Sequence, residues 1–158
     1  MNKLSIAAAI TLLGAAPAFA EGHASGDAAA GEQAFSQCQT CHVVVDAEGN
    51  TLAGRNARTG PNLYAVSGKQ AGIVEGFRYS DSIVEAGEAG LVWDEENFVA
   101  YVQDPTGFLR EYLDDNRARG KMAYKVREEA DAVNLYAYLA SLAPIEGAEG
   151  EAEAEATN

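Results

Sequence analysis

The sequence predicts an all-α domain of short helices and long loops that need a large apolar object to pack against. Three observations point there. Apolar residues repeat at helical spacing near both ends of the mature chain, with a third such segment between them. The stretch Gly49–Gly72 is rich in Gly, Asn and Thr and lacks the period-two alternation of a strand. No internal repeat is visible.

Taken in chain order, the first element is an export signal. Lys3 supplies a short positive region, Leu4 to Ala16 is apolar, and Ala18-Phe19-Ala20 is an A-x-A cleavage site, so residues 1–20 read as a cleaved signal peptide. The apolar run is shorter and more alanine-rich than the about 20 residues a membrane span needs. We therefore expect a periplasmic protein with no stable membrane insertion. Cleavage after Ala20 of the 158-residue chain leaves 138 residues, enough for one small domain over 21–143.

Asp27 can cap a first helix in which Gly31, Ala34, Phe35 and Cys38 fall on one face. A glycine inside a helix costs about 1 kcal/mol against alanine, so Gly31 on the apolar face implies a close helix crossing. A second helix is expected from Asp94 to Gln103, with Phe98, Val99 and Val102 apolar and Pro105 closing it off. The last runs from about residue 128 to 143, where Leu135, Tyr138, Leu139 and Leu142 form the matching stripe. Beyond it, residues 144–158 alternate Glu with Ala and Gly, and large apolar residues stop after Ile145. Such a tail buries too little surface to offset its ordering entropy and is expected to be disordered.

Residues 38–42 read Cys-Gln-Thr-Cys-His and hold the chain's two cysteines. This C-x-x-C-H spacing is the attachment signature for a c-type haem. Two thiols, Cys38 and Cys41, add to the two vinyl groups along one porphyrin edge as thioethers, and the imidazole of His42 is then held beneath the iron. A local disulfide would explain the cysteines but not the histidine. A zinc site would need further ligands, and outside the motif the chain offers only His23 or carboxylates. For a sixth ligand the mature chain offers Met122, its single methionine, as well as His23 and Lys121. Lys121 would have to lose its proton, and His23 sits in a Gly- and Ser-containing leader. Met122 lies about eighty residues beyond the motif, far enough to reach the opposite face. A thioether ligand favours ferrous iron and raises the potential.

The charge is strongly acidic but sorted. The mature chain has ten basic and twenty-four acidic residues, a net of −14, and without the tail it stands at −9. That disfavours nucleic acid as a partner. Yet Arg55, Arg58 and Lys69 lie in one acid-free stretch, and Arg117, Arg119, Lys121, Lys125 and Arg127 in another. Eight of the ten mature positive charges are thus gathered, which makes a dipolar protein that can be steered by one face.

Over almost all of its mature length the chain resembles the class I cytochromes c, with the closest look to bacterial cytochrome c2 and related periplasmic c-550-like carriers. Besides the motif at 38–42, the resemblance rests on Thr-Gly-Pro-Asn-Leu-Tyr at 59–64, Gly-Phe-Arg-Tyr-Ser at 76–80 and Trp-Asp-Glu-Glu at 93–96. It continues through Tyr-Val-Gln-Asp-Pro at 101–105, Gly-Lys-Met at 120–122 and Ala-Tyr-Leu at 137–139. It implies the class I cytochrome c fold around one haem c held by two thioethers, with His42 and Met122 on the iron. It also implies that the Pro61 carbonyl accepts from the Nδ1–H of His42 and that Tyr101 points its hydroxyl at the Met122 sulfur. Tyr79 and Trp93 would donate to a haem propionate, Gly31 and Phe35 would meet Tyr138, and Leu63, Val102, Leu135 and Leu139 would wall the haem. The chain departs from the pattern at Gly120, where mitochondrial members have Thr, at Lys69 in place of a frequent Arg, and at Tyr124 where Phe is usual. The segment Thr106–Lys121 is longer than in the short forms.

The resemblance implies a soluble one-electron carrier and not an enzyme, expected to be a monomer. It would take electrons from a cytochrome bc1-type complex and deliver them to a photosynthetic reaction centre or a terminal cytochrome oxidase with an acidic docking face. Two alternatives stay open at this point: a dedicated electron acceptor of a periplasmic dehydrogenase, and a haem enzyme such as a peroxidase.

Overall fold

In the computed structural model, residues 24–143 are described; the expected signal peptide, His23 and the acidic tail lie outside the described residues. The elements run α1 (Ala28–Phe35), β1 (Val44–Val45), β2 (Thr51–Ala53), α2 (Asp81–Glu88), α3 (Glu95–Gln103), α4 (Pro105–Tyr112) and α5 (Glu129–Leu142). Among the described residues, no helix is long and apolar enough to cross a membrane.

The first and last helices cross as their stripes require. The Asp27 carboxylate accepts from the amides of Ala29 (2.8 Å) and Ala30 (3.1 Å), satisfying two orphan donors at the start of α1. Gly31 is buried at the crossing: a Cβ there would stand 2.6 Å from the Asn134 carbonyl carbon and 2.7 Å from the Cβ of Tyr138. One turn further, the Phe35 and Tyr138 rings pack with centroids 5.6 Å apart. Around this crossing lies the first core, with Val44, Phe98, Val102, Leu135, Tyr136 and Leu139 buried in it.

Two helices were not legible in the pattern. Both α2 and α4 are eight residues long and each carries an internal glycine, Gly87 or Gly107. They form because Ile83 and Leu109 are buried in a second core with Ala71, Ala86, Leu91 and Ala118. Pro105 does end α3, but it also opens α4, where its missing N–H is no loss. Asp104 serves both ends, terminating α3 and accepting from the Gly107 amide at 3.2 Å.

The reading of Gly49–Gly72 as strand-free is corrected. Thr51–Ala53 pairs antiparallel with Val44–Val45 around a turn in which Asp46 accepts from the Asn50 amide at 2.7 Å and Gly49 takes φ +88°. Two or three residues per strand are too few to show alternation, and Leu52 leaves its side chain in solvent.

Candidate haem site

The attachment motif folds as one more helical turn beyond α1. The Cys38 amide donates to the Phe35 carbonyl (2.8 Å), and the amides of Cys41 and His42 both donate to the Cys38 carbonyl (3.0 and 2.9 Å). Both thiols are free and half-buried, so the local disulfide is not formed. Burial, with Cys41 close by, pushes the Cys38 thiol up to about 11. Among the described residues no three His, Cys, Asp or Glu side chains group to hold a metal ion.

His42 is aimed by a stitched loop. Its Nδ1 lies 3.0 Å from the Pro61 carbonyl, so the proton sits on Nδ1 and the Nε2 lone pair is free to ligate. Burial lowers the imidazole pKa, partly opposed by the Pro61 bond, and so favours the neutral ring. The carbonyl is placed by three ties. The Gly60 amide donates to the Cys41 carbonyl (2.7 Å) and the Leu63 amide to the Val43 carbonyl (2.9 Å). Asn62 accepts from the Val45 amide (2.9 Å) and donates to its carbonyl (2.7 Å). Sequence reasoning quoted Asn62 in the motif but missed this clamp on the hairpin. Position 60 must be glycine-sized, since a Cβ would stand 2.6 Å from Nδ1 and 2.8 Å from Nε2 of the imidazole.

The remaining expected residues gather on surfaces of the two cores. Met122, Cys38, Leu63, Val66, Val99 and Tyr101 are half-buried against the first core. Tyr79, Trp93 and again Tyr101 lie against the second. Tyr101 therefore bridges them, with its ring 4.9 Å from that of Trp93 and 5.9 Å from Phe108. The structure brings Tyr101 and Met122 onto one cluster without a hydrogen bond between them. Burial, with Tyr79 close by, pushes the Tyr101 phenol up to about 12. Trp93 is held by its backbone, donating to the Lys69 carbonyl (2.8 Å) and accepting from the Gly68 amide (2.9 Å). Burial also raises the Tyr79 phenol, opposed by a hydrogen bond from the Val74 backbone.

Ser80 supplies a test of fit that sequence reasoning missed. Its hydroxyl is enclosed, caps no amide of α2, and has no protein partner. A buried orphan hydroxyl beside Tyr79 is what a site for a carboxylate-bearing group leaves on the protein. With two free thiols, a directed imidazole and a thioether half-buried on the core that Cys38 also touches, the residues present fit a haem.

The basic residues of the second acid-free stretch are exposed, as are Arg55 and Arg58, while Lys69 is half-buried. Several of them are engaged: Lys121 Nζ donates to the Arg78 carbonyl (2.6 Å), and Lys125 pairs with Asp104 (2.7 Å). Arg117 pairs with Asp115 at 3.2 Å while its side chain stays 92% exposed, so screening leaves that pair little worth.

No protein-family model matches the chain. Individual relatives do. Cytochrome c2 from Rhodovulum adriaticum is 71% identical over 118 residues, covering 75% of this chain and 94% of that relative. The structure of cytochrome c2 from Rhodobacter sphaeroides superposes with a TM-score of 0.74 at 58% identity, covering 75% of this chain and 98% of the other. That of ferric cytochrome c-550 from Paracoccus versutus superposes at 0.71 with 38% identity, covering 76% and 100%. The helical fold, the stitched Cys38–His42 turn and these likenesses agree, and the chain belongs to the cytochrome c2 family, carriers of single electrons on one covalently attached haem c and not enzymes.

Proposed function

We propose that Cys38 and Cys41 would hold a haem through their sulfurs and that His42 and Met122 would ligate its iron. The observation that carries this is His42, whose Nδ1 is tied 3.0 Å from the Pro61 carbonyl so that only Nε2 can ligate. Tyr79, Trp93 and Ser80 would donate to the haem carboxylates, and Leu63, Val102, Leu135 and Leu139 exclude water from the ring. The haem, when bound, supplies a one-electron couple. The chain's part is to keep the imidazole neutral, hold a soft sulfur opposite it, and leave both positions filled so that no substrate enters.

The family works between membrane complexes. For this chain we assign the periplasm, from the export signal, a cytochrome bc1-type complex as donor, and a photosynthetic reaction centre or terminal oxidase as acceptor. The exposed basic residues, set in an otherwise acidic chain, favour an acidic docking face on the partner. Stopped-flow electron transfer to an isolated reaction centre or oxidase tests this. The rate should fall with added salt, as the Debye length shrinks toward about 8 Å. Arg58→Glu and Lys121→Glu should slow association far more than Glu151→Lys. A salt-independent rate, or equal effects from both kinds of reversal, would mean that docking is apolar.

A further inference from the structure

The segment that bears Met122 has no regular structure of its own, from Arg119 to Val126. It is held by ties to other elements, and most of these run to α2, α3, α4 and the residues that flank them. The Arg119 amide donates to Ser82 at the start of α2 (3.1 Å), the Gly120 amide to Thr106 on α4 (3.3 Å), and Lys121 to the Arg78 carbonyl (2.6 Å). Lys125 pairs with Asp104 and the Val126 amide donates to Val102, both of them between or within α3 and α4. One tie runs elsewhere. The Tyr124 hydroxyl donates to Oε1 of Gln37, the residue immediately before Cys38.

From this we infer that Tyr124 and Gln37 form a latch joining the methionine segment to the haem-attachment turn, and that Tyr124 is a positioning residue for Met122. The inference rests on Met122 as the sixth ligand. Tyr124 lies two residues past Met122 and Gln37 one residue before Cys38, so the bond spans the two chain segments that would grip the haem from its two faces. Both residues are exposed, Tyr124 at 42%, so the bond competes with water and its net contribution is that of a single solvent-accessible hydrogen bond. Its effect is local. Among the described residues it is the hydrogen bond from the methionine segment that ends beside the attachment turn, and opening of that segment is what lets an outside ligand reach the iron.

The experiment uses the ferric holoprotein and imidazole as the outside ligand. Tyr124→Phe keeps the ring and removes only the hydroxyl; Gln37→Leu removes the acceptor. Each should tighten imidazole binding by about twofold to tenfold, the range to which a net hydrogen bond converts. Each should also lower the pH at which the long-wavelength band of methionine-ligated ferric haem is lost. The double variant should do no more than either single one, because the two changes break the same bond. Thermal unfolding should shift by no more than that same net hydrogen bond is worth, since the bond is absent from the opened and the unfolded states alike. Unchanged imidazole affinity and band midpoint in both single variants, or effects that add in the double variant, would each overturn the latch. Met122→Ala keeps the two readings apart. A band that survives it removes the ligand assignment itself, whereas a band that vanishes there and is indifferent to Tyr124→Phe removes only the latch.

Discussion

Gly60→Ala probes the part of the site that the fold builds most tightly. A methyl carbon at position 60 would stand 2.6 Å from Nδ1 of His42, where about 3.5 Å is comfortable between heavy atoms. The overlap is thus about 0.9 Å at a ring nitrogen whose proton is already committed to Pro61. The loop has little room to yield, because the Gly60 amide is bound to the Cys41 carbonyl and Asn62 is clamped to both polar groups of Val45. Moving the ring or the carbonyl by that amount stretches the 3.0 Å bond beyond hydrogen-bonding range. A half-buried N–H left unpaired costs about 1–3 kcal/mol, which should appear as a lower denaturation midpoint. A second consequence is redox. The Pro61 carbonyl makes the imidazole a better electron donor, which favours ferric iron, so losing it should raise the potential. If 1 kcal/mol of the loss falls on the ferric form alone, the rise is about 40 mV for a one-electron couple. Spectroelectrochemical titration and guanidinium unfolding of the holoprotein measure the two effects. A potential within about 10 mV of the parent together with an unchanged unfolding midpoint would refute the reasoning.

At the helix crossing, Gly31→Ala should destabilise the protein by about 1–3 kcal/mol through overpacking against Asn134 and Tyr138. That sign holds although alanine is the better helix former by about 1 kcal/mol, and denaturant unfolding reads it directly. The Cys38→Ser, Cys41→Ser double variant, which cannot attach haem, should lose most of its helical circular dichroism, since short helices and two separate cores depend on what joins them; a cooperative native-like melt would contradict this. Tyr101 gives a pH signature. Its phenol is raised from 10.0 to about 12 in the fold, so its contribution is fully present below pH 10.0 and is lost as pH rises through about 12. Tyr101→Phe should flatten that alkaline decline and remove one tyrosine from the end of the tyrosinate absorbance titration.

Features carried by adjacent residues were legible in the chain itself. Cys38, Cys41 and His42 fall on one helical turn whatever the rest of the fold does, so their chemistry follows from spacing. The Asp27 cap and the Gly31, Ala34 and Phe35 face obey the same local rule, and their partner stripe on α5 lies where period 3.6 puts it. The sorting of basic from acidic residues is likewise a property of order along the chain. Helices α2 and α4 were not legible, because eight residues with a glycine inside have too weak a local preference to compete with a loop. Burial of Ile83 and Leu109 against residues far along the chain decides them. The same holds for the finer parts of the site. That Ser80 ends with an enclosed, unpartnered hydroxyl, that Asn62 clamps Val45, that Lys125 meets Asp104, and that Tyr124 reaches Gln37 across 87 positions depends on loops without periodicity. Such contacts come from the closing of the whole chain and leave no mark in any short window of sequence.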